Sequence, residues 1–257
     1  MDEIIYGIHA VKSALNYLSI DAKADDTDTS QALVSVLFVD RGRKDNRINA
    51  IVELARKKSV KVTFVERKKL DELCSGNHQG VVAHSRTPKV KSESFLDELL
   101  QDLDVPAFLL VLDGVQDPHN LGACLRTADA AGVHAIIVPK DKSASLTPTV
   151  RKVACGADQT VPFIQVTNLA RTLKLLKSYQ IWIIGTAGET DATIYNSDLK
   201  GPLALVMGTE GKGMRRLTRE NCDLLVKIPM LGNVESLNVS VATGISLFEA
   251  VRQRTSQ

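Results

Sequence analysis

Short apolar runs punctuated by glycine, proline and polar residues recur along the chain, and between them apolar residues fall at three- and four-residue intervals. Runs of four to eight apolar residues suit buried strands, whereas the wider spacing marks the buried stripe of a helix. In residues 1–85 this pattern predicts helices over 7–18, 47–58 and 68–73, and strands over 33–39, 60–65 and 80–84. The first helix carries its stripe on Ile8, Val11, Leu15 and Leu18. Residues 20–31 (IDAKADDTDTSQ) are acidic and polar with no apolar period, as expected of a mobile surface loop. Residues 86–106 are polar, with one helical stretch over 94–103, and read as an interdomain linker. Beyond them, strands are predicted over 108–112, 135–138, 161–165, 181–185, 203–207 and 224–228. Helices are predicted over 121–131, 147–154, 169–178, 215–221 and 238–253. The expected architecture is therefore α/β. A small N-terminal domain (1–85) leads through the linker to a larger domain (107–257), whose parallel sheet is covered on both faces.

Three of the predicted strands end in loops of small residues: Gly185-Thr-Ala-Gly188, Gly208-Thr-Glu-Gly-Lys-Gly213 and residues 229–237. Ligands of open α/β sheets sit outside the carboxyl ends of the strands, so these loops mark the candidate site. Their spacing matches neither the phosphate loop of nucleotide hydrolases nor the glycine fingerprint of dinucleotide-binding folds, which argues against a nicotinamide dehydrogenase. Asn120 and Asn238 stand where they could cap the helices that follow them. Leu121, Leu125 and Ala128 form the core stripe of helix 121–131 and leave Arg126 on another side. Taken alone, these residues read as two helix caps and a surface ion pair. His78-Gln79-Gly80, before strand 80–84, reads as a turn or as an RNA contact.

Composition narrows the classes. At 257 residues and 44% hydrophobic, the chain has ample material for a core, and no apolar run approaches a membrane span. The acidic start lacks the apolar segment of a secretion signal, so a cytoplasmic location is expected. Four scattered cysteines (Cys74, Cys124, Cys155, Cys222) read as buried free thiols, and the five histidines show no ligand spacing, so no metal is expected. Charge is uneven: residues 1–90 carry 15 Lys/Arg against 12 Asp/Glu, and the rest carry 17 against 18. The excess clusters at Arg41, Arg43, Lys44 and Arg47, at residues 56–58 and at residues 67–69. Such clusters are either solvated helix faces or phosphate contacts. With aromatics at 4%, a base-stacking sheet is not expected.

The candidate loops also carry a resemblance. MGTEGKGM (207–214) and IPMLGNVESLNVSVATGISLFEA (228–250) are similar to the second and third motifs of the SpoU-type 2′-O-ribose RNA methyltransferases, within the knotted SPOUT class. DPHNLGACLRTADAAG (117–132) resembles their first motif. YGIHAVKSAL (6–15) and HQGVVA (78–83) resemble the N-terminal domain of members that methylate a guanosine of 23S rRNA. The similarity spans nearly the whole chain in the expected order. It implies a ribosomal-protein-L30e-like, RNA-binding N-terminal domain and a SPOUT-type catalytic domain with a C-terminal trefoil knot. It further implies S-adenosylmethionine as cofactor and a homodimer whose interface includes helix 238–253. Carried over residue by residue, it assigns cofactor contacts to Gly208, Ile228 and Leu237, and catalysis to Asn120, Arg126, Glu210, Ser236 and Asn238.

All five catalytic positions are filled, which favours an active enzyme over a non-catalytic ribosome-assembly factor. A tRNA ribose methyltransferase of the same family is the nearest alternative. In the family Arg126 is the proposed base, but a guanidinium that titrates above about 12 stays charged at neutral pH. The preferred role is to bind the adjacent phosphate and stabilise the developing alkoxide. His119 is a rival base by residue type only.

Overall fold

The computed structural model describes residues 2–16, 34–43, 45–86, 90–211 and 213–255; the surface loop expected over 20–31 lies outside them. The chain divides into two compact units, Met1–Lys89 and Val90–Gln257. Among the described residues, no helix is long and apolar enough to cross a membrane.

The first unit runs β1 (Asp2–Tyr6), α1 (Ile8–Asn16), β2 (Val34–Asp40), α2 (Asn46–Lys57), β3 (Lys61–Val65), α3 (Arg67–Leu73) and β4 (Val81–Arg86). Its sheet has the order β1-β4-β2-β3, with β2 and β3 parallel and the other pairs antiparallel. Val11 and Leu15 of α1 meet Ile48 and Ile51 of α2 over Leu37, Val39 and Ala83 of the sheet. Strand β1 was not legible in the pattern: DEIIY opens with two acids and is held by its pairing with β4. Before β4, His78 is buried; its Nδ1 accepts the Gly80 amide at 3.0 Å while Nε2 meets the Asp71 carboxylate at 3.0 Å. Gln79 Oε1 accepts the amide of Ile8 at the start of α1, at 3.1 Å. Both side chains are occupied inside the unit, so this segment is a structural turn.

The second unit runs α4 (Glu93–Asp102), β5 (Phe108–Leu112), α5 (Pro118–Ala130), β6 (Ala135–Pro139), α6 (Pro148–Ala154), α7 (Ala157–Thr160), β7 (Phe163–Val166), α8 (Leu169–Ser178), β8 (Trp182–Thr186), a 3₁₀ turn (Ile194–Asn196), β9 (Leu203–Met207), α9 (Arg216–Glu220), β10 (Leu224–Val226) and α10 (Val239–Thr255). Its six strands are all parallel, in the order β10-β8-β9-β5-β6-β7. Strand β5 shows why the sheet needs cover on both sides. Phe108, Leu110 and Leu112 enter one core with residues of α5, α6 and α10, while Leu109 and Val111 enter the other with residues of α4 and α8.

The linker expected over 86–106 is shorter than that. Lys91 bridges β7 through its amide to Phe163 O (2.9 Å) and its carbonyl to Gln165 N (3.0 Å), and α4 buries Leu96 and Leu100 in the second core. A fully buried leucine contributes about 1.5–3 kcal/mol, so this helix is part of the unit. At the other end of the chain, Arg254 on α10 donates to the carbonyls of Leu199 (3.0 Å), Gly201 (2.6 Å) and Ala107 (3.4 Å). Its guanidinium also lies 4.3 Å from the centre of the Phe108 ring.

Candidate functional site

The sheet order sets β8 between β10 and β9, so the carboxyl ends of these strands lie side by side. The three loops read from the sequence converge there on a cavity of about 620 Å³. Thr186 to Glu189 contribute from the loop after β8, Gly208 to Gly211 from the loop after β9, and Lys227, Ile228 and Met230 from the segment after β10. Glu235, Ser236 and Leu237, with Val239 and Ala242 of α10, complete the wall. The three expected cofactor residues, Gly208, Ile228 and Leu237, and two expected catalytic residues, Glu210 and Ser236, all line this cavity.

The loop after β9 is a closed turn. Thr209 N donates to Gly213 O at 3.0 Å and Gly213 N returns a bond to Thr209 O at 2.9 Å. A Cβ on Gly208 would lie 2.3 Å from both Gly213 C and Met214 N, so only glycine permits this approach. The base of the loop is pinned by Asp113, whose buried carboxylate accepts Arg215 N at 2.7 Å and faces Arg215 Nε at 3.2 Å. Sequence reasoning missed Asp113; its signal was an acid placed directly after a fully apolar strand. Also missed was Arg219, which pairs across the rim with Glu189 and holds that carboxyl below the usual carboxylate range through its hydrogen bond.

Asn238 joins the first and third motifs. Its Nδ2 donates to Asn120 Oδ1 at 3.0 Å, while its Oδ1 accepts Ser240 N (2.9 Å) and Ser240 Oγ (2.7 Å), which caps α10 as expected. Asn120 does not cap α5. The cap is Asp117, which accepts the amides of His119 and Asn120 at 3.2 Å each, and Pro118 occupies the first helical position. Proline's fixed φ and missing amide suit that place, so the helix starts three residues early and frees the Asn120 side chain for Asn238. Arg126 is exposed on α5 outside the cavity lining, with Nη1 3.8 Å from Cys155 Sγ. The four cysteines are free, but Cys155 is exposed, unlike the buried thiol expected, because it sits in a left-handed turn between α6 and α7. Cys124 is buried as expected, and burial pushes its thiol up to about 11. Cys74 and Cys222 are half-buried.

Chemically, the cavity offers apolar walls from Met207, Ile228 and Leu237, free backbone groups in its loops, and the carboxylates of Glu189, Glu210 and Glu235. Among its described lining residues the cations are Arg219, already paired, and Lys227. This set suits a nucleoside without phosphates, or one bearing positive charge, better than a nucleotide.

Comparison with known proteins identifies the family. The model of the SpoU rRNA Methylase family matches residues 107–248, and that of RNA 2′-O ribose methyltransferase substrate binding matches residues 4–90. The chain is 54% identical over 252 residues to the 23S rRNA (guanosine-2′-O-)-methyltransferase RlmB of Pseudomonas putida, covering 98% of this chain and 97% of that one. It is also 54% identical over 256 residues to the enzyme of the same name from Escherichia coli K12, covering 99% and 100%. In fold it is similar to the SpoU methyltransferase AviRb from Streptomyces viridochromogenes in complex with the cofactor AdoMet. The TM-score is 0.75 at 23% identity, over 100% of this chain and 92% of that one. The chain belongs to the SpoU rRNA methylase family.

Proposed function

We propose that this protein methylates the ribose 2′-hydroxyl of a guanosine in 23S rRNA, using S-adenosylmethionine. The observation that supports this best is the convergence of Gly208, Ile228, Leu237, Glu210 and Ser236 on one cavity, beside an Asn120–Asn238 pair, in a chain 54% identical over its length to enzymes of that activity. The residues present fit the cofactor. The turn closed against Gly208 leaves backbone for a nucleoside edge, Ile228 and Leu237 give apolar contact, and the acidic lining favours a cationic sulfur centre. When bound, the cofactor supplies a methyl group already activated on a sulfonium.

The remaining work falls to this chain. The nucleophile is a poorly acidic hydroxyl, which must be held in line and must shed its proton to solvent as the carbon–oxygen bond forms. Arg126 binds the phosphate beside the target nucleotide and stabilises charge on the 2′-oxygen. Ser236 hydrogen-bonds near that oxygen, Glu210 orients the cationic groups around it, and Asn120 with Asn238 keeps the two motif segments in register. The first unit binds the RNA through the exposed Arg47, Arg56, Lys57, Arg67 and Lys68. The enzyme acts in the cytoplasm on rRNA or a large-subunit precursor, with the trefoil knot expected of its class.

The reading includes a homodimer. Val241 and Phe248 of α10 are exposed with Ile245 half-buried between them, at the spacing of one helical face. The nearby loop exposes Leu231 and Val234 as well. Such a patch calls for cover.

The test is transfer of labelled methyl to unmodified 23S rRNA, with a tRNA pool as control and the product mapped by the resistance of one ribose to alkaline cleavage. Wild type is expected to label a single guanosine. Arg126→Ala should lower kcat by roughly 100- to 1,000-fold, the size of losing one oxyanion-type donor. Label in tRNA alone would overturn the substrate, and absence of cofactor binding would overturn the reaction.

A further inference from the structure

Arg126 projects from a face of α5 that is locked against its neighbours on both sides. Gly122, Arg126 and Asp129 fall at i, i+4 and i+7, on one stripe. At one end, a Cβ on Gly122 would lie 2.6 Å from Val153 Cβ and 2.8 Å from Val150 O, so α5 and α6 touch at backbone distance. At the other end, Asp129 accepts a hydrogen bond from Thr160 of α7. Between them lies Cys155, at φ 54° and ψ 33°. Arg151 and Asp158 clamp the turn by a buried ion pair at 2.9 Å, one residue on each side of it.

Left-handed backbone is unfavourable for a residue with a Cβ, and the next residue is Gly156, also left-handed at φ 98°. Here the Cys155 thiol faces Lys152 O at 3.6 Å, which takes up its one donor, and the sulfur lone pairs face Arg126 Nη1 at 3.8 Å. Among the described residues, Arg126 has no carboxylate within ion-pair distance, and the Cys155 sulfur is the acceptor that meets its guanidinium. A carboxylate at the same place would compete with an incoming phosphate; a thiol orients the guanidinium and leaves its charge available.

We propose that Cys155 is a positioning residue for Arg126, setting the direction in which the guanidinium meets the RNA phosphate. This rests on the role given to Arg126 above. Cys155→Gly removes the sulfur and relieves the left-handed strain, so the two effects separate. The expected result is a kcat lowered about tenfold, as befits a misdirected but present catalytic group. Cofactor affinity should be unchanged and Tm should equal or exceed that of wild type. Cys155→Ser, which keeps a small donor and acceptor, should recover kcat to within about threefold. In the Arg126→Ala background, Cys155→Gly should cause no further loss. RNA binding by the cofactor-free protein is measured on the same four-variant cycle. Cys155→Gly should weaken it only when Arg126 is present. An unchanged kcat with Tm intact, or a loss that adds to that of Arg126→Ala, would overturn the proposal. If wild type fails to methylate 23S rRNA, the functional reading falls by itself. The binding cycle then decides this inference, coupling supporting it and additivity overturning it.

Discussion

Gly208→Ala is the sharpest perturbation that the site allows. The added carbon would sit 2.3 Å from Gly213 C and from Met214 N, where ordinary contact begins at 3.4 Å. Both are backbone atoms, so no side chain can swing aside, and the far limb of the turn has to retreat by about 1 Å. That retreat breaks one or both bonds between Thr209 and Gly213, at 3.0 and 2.9 Å. Each such bond contributes about 1 kcal/mol net. Overpacking adds about 1–3 kcal/mol. With both bonds lost the smaller sum, about 3 kcal/mol, corresponds to roughly a hundredfold in affinity. Because Gly211 and Gly213 are exposed, the free turn can relax outward, so most of this cost appears on ligand binding rather than on unfolding. Titration calorimetry with S-adenosylmethionine should show the hundredfold weakening while Tm falls by about 3 °C or less. Gly211→Ala is the internal control. Its φ of 78° makes alanine strained, but nothing lies within 4 Å, so the loss should stay under tenfold. Cofactor affinity within threefold of wild type in Gly208→Ala, or equal damage in the two variants, would refute the reasoning.

Three further outcomes are expected. Arg254→Ala removes three carbonyl contacts and the packing on Phe108, and should destabilise by about 2–3 kcal/mol, lowering Tm by roughly 5–10 °C in a melt followed by circular dichroism. His134 accepts Phe108 N at 3.0 Å through Nδ1, and burial, helped by the Arg254 charge, lowers its pKa below 6.5. The folded state therefore prefers neutral imidazole. The stabilisation is complete above about pH 6.5 and is lost as pH falls through the lower folded value, so replacing His134 with Gln should flatten the decline of Tm on the acid side. Ellman titration at pH 8 should modify Cys155 first, because burial pushes the Cys124 thiol up to about 11 and Cys222 up to about 12; rapid labelling of Cys124 in the folded protein would contradict the packing.

The second unit was legible where a strand is buried on both faces. Phe108–Leu112 and Leu203–Met207 are unbroken apolar runs ended by turn residues, and nothing but a central strand accommodates them. The cavity was legible for a related reason, since loops at the carboxyl ends of parallel strands must lie together once the strands do. Two of the misreadings involve partners distant in sequence, and two involve local turn and cap chemistry. Strand β1 exists because β4 accepts it across some eighty residues, and no local period announces that. The stripe of α4 was visible, but whether Leu96 and Leu100 face solvent or a core is decided by β7. The helix at Pro118 was placed late because Asn120 was read as the cap, although Asp117 followed by proline is the stronger start signal. The exposure of Cys155 follows from a left-handed turn that neither hydropathy nor thiol count encodes.

The bond from Asn238 to Asn120 has a consequence for how the molecule is made. The two residues are 118 positions apart, and a ribosome adding about 5–20 residues per second delivers the second some 6–24 seconds after the first. Throughout that interval Asn120 lacks its partner, and the cavity lacks the walls that Ser236, Leu237, Val239 and Ala242 supply. A ligand stabilises only the species it binds, so no amount of cofactor can protect the nascent chain until residues 236–242 have emerged. Cofactor-dependent protease resistance should accordingly be absent from every chain arrested before α10.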